Sequence, residues 1–292
     1  MNHILNPQSQ TSKAKLPWLH WLRLYWPAQL PVLVMSAVLA GCASGPTPKP
    51  LGGDNSPTSA GTAGAPHPNS AESNWVATST VASADQPVTR AKGWHHYEFP
   101  GKRATQYDFI QKDLRQAVAV TAKNSASLLR QNVRIEPDRL ANIKFSWQVP
   151  ALIANADLGD RDLADSPVRI VLAFEGDRSK FSGKNTMLSE LSRALTGEPM
   201  PYATLMYVWC NTRAPGSVIT SPRTDRIRKL VVESGAKNLN QWLDYDRDIR
   251  ADFEKAFGEA PGALVAIGIM TDSDNTHSNV RAWYGPVKLA GP

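Results

Sequence analysis

The chain has 292 residues, 42% apolar and 20% charged, with a formal charge of +6 at pH 7 and two cysteines. That length suffices for one large or two small domains, and the apolar content excludes a wholly disordered chain. Two cysteines exclude a disulfide-stapled scaffold.

Residues 1–41 contain Lys13, Lys15 and Arg23 but no Asp or Glu, and their most apolar window runs from Leu30 to Ala40. About 11 helical residues rise only about 16 Å, roughly half the hydrocarbon thickness of a bilayer, so this run is expected to be a removable export leader. A signal anchor extended upstream through Trp18 and Trp26 would be interrupted by Arg23, Pro27 and Pro31. The run ends Leu39-Ala40-Gly41-Cys42. That ending resembles the lipobox of bacterial lipoproteins, which implies acylation of Cys42 and cleavage just before it. Ala43 in place of Asp implies sorting to the outer membrane, with the protein facing the periplasm. Loss of the leader leaves 32 minus 3, or 29, basic residues against 26 acidic ones. The mature chain is thus only mildly basic, which together with export argues against a nucleic-acid partner. Once Cys42 is modified, Cys210 has no intramolecular partner.

From Cys42 to residue 90 the sequence is rich in Pro, Gly, Ser, Thr and Ala, with Trp75 its one aromatic residue. This composition predicts a flexible tether, and as a coil its ends lie roughly 35 to 40 Å apart. Residues 91–292 change to short runs of alternating polarity between turn residues, the pattern of a β-rich domain. In chain order, strands are expected over Trp94–Phe99, Gln116–Ala122, Ser127–Ile135, Ile143–Val149 and Val168–Phe174. They continue with Ala203–Trp209, Ile227–Glu233, Leu264–Met270 and Val280–Leu289. Met187, Leu188, Leu191 and Leu195 recur at helical spacing before Gly197, and Ile249, Phe253 and Phe257 mark a second helix ending at Gly258. Both apolar stripes are expected to cover sheet edges or barrel ends. Because strands dominate without regular alternation with helices, the fold class is mainly β, an antiparallel, jelly-roll-like β-sandwich with two short helical insertions.

The motifs Phe145-Ser146-Trp147, Asp165-Ser166-Pro167-Val168-Arg169-Ile170-Val171-Leu172-Ala173-Phe174 and Tyr207-Val208-Trp209 follow one another in this region. Trp242 to Phe257, Asp272-Ser273-Asp274-Asn275-Thr276 and Ala282-Trp283-Tyr284-Gly285 complete the series. Their order and spacing resemble the bacterial family catalogued as domain of unknown function 3047. The family's look is similar to galactose-binding-like β-sandwiches, many of which bind carbohydrate; fold-level likeness of this kind does not establish function.

No Gly-x-Ser-x-Gly elbow, His-Glu-x-x-His, phosphate loop or dinucleotide glycine fingerprint occurs in the chain. Asp272, Asp274 and Asn275 are candidate ligands for a hard cation such as Ca²⁺, because alternating oxygen side chains after a strand converge on such ions. An Asx-turn network closing a hairpin accounts for the same residues. Asp157, Asp160, Asp162 and Asp165 form an acidic stretch leading into the strand of Arg169; a solvated loop accounts for it, and the alternatives are cation binding or an Asp165–Arg169 pair that orients a ligand. Strand alternation puts Leu205, Tyr207 and Trp209 on one face, offering aromatic planes to a sugar with Arg169 nearby; core packing explains the same pattern. Arg223, Arg226, Arg228 and Lys229 form the densest basic run, expected on a solvated strand face or against an anionic glycan or headgroup. The sequence therefore favours a noncatalytic, envelope-anchored sandwich that binds a glycan or other envelope component. A polysaccharide hydrolase or lyase drawing acids from Asp165, Glu175, Asp272 and Asp274 is the alternative, as is a structural or assembly lipoprotein.

Overall fold

The computed structural model describes residues 75–79 and 93–289, so the leader and Cys42 lie outside the described residues. Among the described residues, thirteen strands form two sheets. They are β1 (His95–Glu98), β2 (Gln106–Lys112), β3 (Arg115–Lys123), β4 (Ser127–Ile135), β5 (Asn142–Gln148), β6 (Ser166–Phe174) and β7 (Ala203–Cys210). Then follow β8 (Val218–Thr220), β9 (Ile227–Ser234), β10 (Trp242–Asp248), β11 (Leu264–Asp272), β12 (Asn279–Tyr284) and β13 (Lys288–Leu289). One sheet has seven strands in the order β1-β4-β11-β6-β7-β9-β8. The other runs β10-β5-β12-β3-β2, with β13 added on β5. Pairing is antiparallel except between β7 and β9, which run parallel. The expected sandwich is therefore present, with one parallel pair the alternation pattern did not reveal.

The core lies between the sheets. Val168, Ile170, Leu172 and Phe174 of β6 face Phe145 and Trp147 of β5 across it, with Leu205, Tyr207 and Trp209 of β7 alongside. Alternation decides this, because each strand sends every second side chain to one face. Trp147, the expected core tryptophan, is fully buried.

Two helices join the sheets' strands, α1 (Gly183–Thr196) and α2 (Ile249–Phe257). α2 starts at an Asp248 cap whose side chain accepts from Ala251 N–H, and it buries Ile249 and Phe253 as expected. Phe253 stacks on Phe257 and meets Phe174 edge-on, at centroid distances of 4.5 and 4.7 Å. α1 does the reverse: it buries Asn185 and Ser189 and leaves Met187, Leu191 and Leu195 exposed.

The expected tether is also interrupted. Residues Trp75–Thr78 form a helical turn, and Trp75 is fully buried in the core. Its ring lies 5.0 Å from that of Trp94 and 5.7 Å from that of Phe109. An apolar indole gains more by entering the sandwich than by remaining in a polar coil, so the domain recruits a piece of its own tether.

Candidate functional site

Tyr207 and Trp209 do share a strand face, but it is the inward one. They are 0% and 1% exposed, so they offer no surface platform. Tyr207 stacks on Phe145 at 5.6 Å, and Trp209 donates its indole N–H to Gly235 O at 3.0 Å. Arg169 does not join them. In the β6–β7 register Ile170 faces Tyr207 and Arg169 faces Val208, so Arg169 lies on the opposite side of the sheet.

Arg169 is buried and forks onto Asp272, with Nη2 2.8 Å from each carboxylate oxygen and Nε 3.1 Å from Oδ1. Its partner is thus Asp272 rather than the nearby Asp165. Asp165, 1% exposed, accepts from Thr276 N–H at 2.7 Å, Thr276 Oγ1 at 2.6 Å and Asn275 N–H at 3.3 Å. Asn275 also donates its side-chain amide to Arg161 O at 3.2 Å. Asp274 pairs with Lys102.

Carboxylate oxygens of Asp165, Asp272 and Asp274 lie within 4.8 Å of one another. Ca²⁺ asks for about six to eight free oxygen ligands. Here Arg169 and Lys102 already bring positive charge to two of the carboxylates, and backbone and hydroxyl donors occupy the third. The residues fit an internally satisfied turn network closing the β11–β12 loop; a cation would have to displace these partners. Burial pushes the Asp272 carboxyl up, with Arg169 pulling the other way and Asp165 adding to the rise.

Glu175, another candidate acid, sits at the far end of β6 from Asp165, about 30 Å along nine residues of strand. It pairs with Arg134 at 3.0 Å. The basic run is largely committed: Arg226 bonds Glu259 at 2.9 Å, and the buried Lys229 donates to Leu158 O at 2.7 Å. Cys210 is a buried free thiol among Leu158, Val208 and Val231.

The outward aromatic face belongs to the other sheet. Trp242 of β10 and Trp283 of β12 both sit opposite Gln148 of β5. Two strand spacings separate their Cα atoms by about 10 Å. Both side chains are half-buried. Between them Gln148 is 8% exposed; its amide N–H₂ donates to Asn240 O at 2.9 Å, and its Oε1 lacks a partner among the described residues.

The next outward pair, Ser146 and Asp244, continues this row into a groove of about 610 Å³ whose walls include Arg115, Lys144, Tyr245 and Lys288. Arg115 forks onto Asp244 at 2.6 and 3.1 Å, and that bond holds its guanidinium above its ordinary range. Arg115 also lies 5.3 Å over the Trp242 ring, while Lys112 and Arg281 lie 4.6 and 5.1 Å over Trp283. Burial, then the Glu233 carboxylate, raises the Tyr245 phenol well above its ordinary value.

The Ala282-Trp283-Tyr284-Gly285 segment builds this floor. Trp283 points out, and Tyr284 points in, where its hydroxyl donates to Met270 O at 2.6 Å and accepts from Arg169 N–H at 3.1 Å. Gly285 lies so close to β5 that a Cβ there would strike Ser146 Oγ. Sequence reasoning missed both surface tryptophans, although a signal existed. Trp242 alternates with Asp244 and Asp246, and Trp283 with Arg281 and Asn279, so each is an aromatic in the polar register of its strand.

A two-sheet β-sandwich with an outward tryptophan row beside a charged groove is the class that fold and site define. A family profile described as protein of unknown function (DUF3047) matches residues 92–288, and the chain belongs to that family. No curated protein matches it. Among solved structures it is similar to the xyloglucanase domain of NopAA, a type three effector from Sinorhizobium fredii in complex with cellobiose. That match has a TM-score of 0.35 and 10% identity over 68% of this chain and 93% of the other. A mutant ENZbleach xylanase follows at 0.31 and 12% identity, covering 71% of this chain and 83% of the other. SGBP-B from a xyloglucan utilization locus in Bacteroides uniformis matches at 0.23 and 8% identity, over 72% of this chain and 44% of the other. Likeness at these scores carries no functional weight.

Proposed function

We propose that the protein is an envelope lipoprotein, held to the outer membrane through acylated Cys42, whose noncatalytic sandwich binds a glycan or other envelope component on the outward face of the six-stranded sheet. The observation that carries this reading is the Trp242–Gln148–Trp283 row. Two half-buried indoles flank a buried amide oxygen that has no partner among the described residues.

Sugar rings stack their C–H faces on such indoles, while hydroxyls bond polar groups at the rim. Gln148 Oε1 accepts a hydrogen bond from one sugar hydroxyl, which removes the cost of a buried orphan acceptor. Asp244 and Arg115 supply an acceptor and a donor at the groove mouth. The long arms of Lys112 and Arg281 move from Trp283 to the ligand's rim, keeping their charged ends in water.

Anchoring is supported by the leader and its terminal Leu-Ala-Gly-Cys. Two or more acyl chains hold a protein firmly, at about 0.8 kcal/mol per buried methylene. Intact-mass analysis of the membrane-extracted protein tests the anchor, and an unmodified Cys42 refutes it. A glycan array probed with the processed protein tests the ligand class. The reading predicts retention of a defined set of polysaccharides, and a blank array refutes the glycan version.

A further inference from the structure

Four large apolar side chains are strongly exposed among the described residues, and three of them sit on α1: Met187, Leu191 and Leu195, at 64%, 53% and 60%. Spaced four apart, they form one stripe along the helix, and Lys184 extends it by a turn at the N-terminal end. A surface helix normally turns its apolar stripe toward the core. α1 instead docks through polar groups. Asn185 Nδ2 donates to Asp225 at 2.7 Å and its carbonyl accepts from Thr224 Oγ1 at 2.7 Å. At the other end Arg130 forks onto Glu198 at 2.9 and 2.8 Å. Ser182 caps the start and Gly197, at φ 77°, closes the end, so the helix is formed before anything covers its stripe.

Charge and position say what covers it. Arg178, Lys180 and Lys184 are exposed at the N-terminal end of the stripe, and Arg193 is exposed on another face of α1. Glu190, the exposed acid within the helix, lies beside Arg193 at 4.0 Å. Three side chains bury far less than the roughly 1,200 Å² of a stable protein interface, which argues against a second copy. A helix lying in a bilayer surface needs only a shallow apolar stripe with cations at headgroup level.

We propose that α1 lies in the plane of an anionic lipid surface, inserting Met187, Leu191 and Leu195 among the acyl chains with the basic side chains at the headgroup phosphates. This contact fixes the domain's orientation on the membrane and is separate from the groove of the other sheet. The test uses processed protein carrying Cys210→Ala, reconstituted in vesicles of equal parts phosphatidylethanolamine and phosphatidylglycerol. An environment-sensitive fluorophore is placed at Leu191→Cys or, as control, at Leu114→Cys, which is 93% exposed. The proposal predicts a blue-shifted emission quenched by brominated lipid at position 191 and a water-like emission at position 114. A vesicle-bound protein whose position 191 emits as in water overturns it, as does equal quenching at both positions. The intact mass of the same sample reads Cys42 acylation separately, so a failed anchor is not mistaken for a failed helix contact.

Discussion

Trp75→Ala removes an indole that is fully buried against Trp94 and Phe109. Burying about 200 Å² of aromatic surface at about 25 cal/mol per Å² contributes about 5 kcal/mol, an upper value because the unfolded chain hides part of that surface. The Trp75 Nε1 has no acceptor among the described residues, which offsets about 1 to 2 kcal/mol. The expected loss is therefore about 3 to 4 kcal/mol, inside the usual range for a buried tryptophan truncated to alanine. Urea denaturation of the processed protein, with an m-value of about 2 kcal/mol/M, should show the midpoint falling by about 1.5 to 2 M at unchanged slope. A chain begun at residue 92 should be weakened at least as much, since it also loses the Ser79 Oγ that accepts from Val287 N–H, and Leu114→Ala should change nothing. If Trp75→Ala shifts the midpoint by less than about 0.3 M, the indole is not in the core and the folding unit begins after it.

Breaking the buried ion pair with Arg169→Met or Asp272→Leu alone should cost about 3 to 5 kcal/mol, and the double variant much less than the sum, because each single change strands one buried charge; additive losses in a denaturation cycle would contradict the pairing. Lys229 is pushed by burial from the ordinary 10.5 down to about 7. Between those values the unfolded chain holds a proton that the folded one has released, so this residue makes stability rise with pH across that window; melting curves of Lys229→Met should lose that rise. Adding millimolar Ca²⁺ or a chelator should leave the melting temperature unchanged, since the oxygens of Asp165, Asp272 and Asp274 are already engaged. A calcium-dependent increase would show that the ion displaces Arg169 or Lys102.

The sandwich was legible because its central strands alternate cleanly: Ser127–Ile135 emerged with both ends correct, and Ile143–Val149 and Val168–Phe174 were off by two residues or fewer at either end. Gln106–Lys112 was missed because it offers few apolar residues in a run of Gln, Asp and Lys. Trp242–Asp248 was missed because three aspartates disfavour a strand reading that pairing along β5 overrides. Alternation correctly grouped Tyr207 with Trp209 but could not say which face of β7 met the other sheet. That depends on long-range register, which also separates Arg169 from both and hands it to Asp272. The stripe of α1, expected on its spacing to cover a sheet edge or barrel end, is exposed instead, because spacing is blind to what lies opposite.

The proposed function places ligand on the outward tryptophans and not on the inward aromatic row. Affinity electrophoresis through gels containing a polysaccharide identified on the array, run beside thermal melts, separates the two. Trp242→Ala and Trp283→Ala should abolish retardation with melting temperatures near that of the parent, whereas Trp209→Ala should cost about 3 to 5 kcal/mol of stability through cavity formation. Undiminished retardation in the Trp242→Ala, Trp283→Ala double variant would show that ligand binds elsewhere.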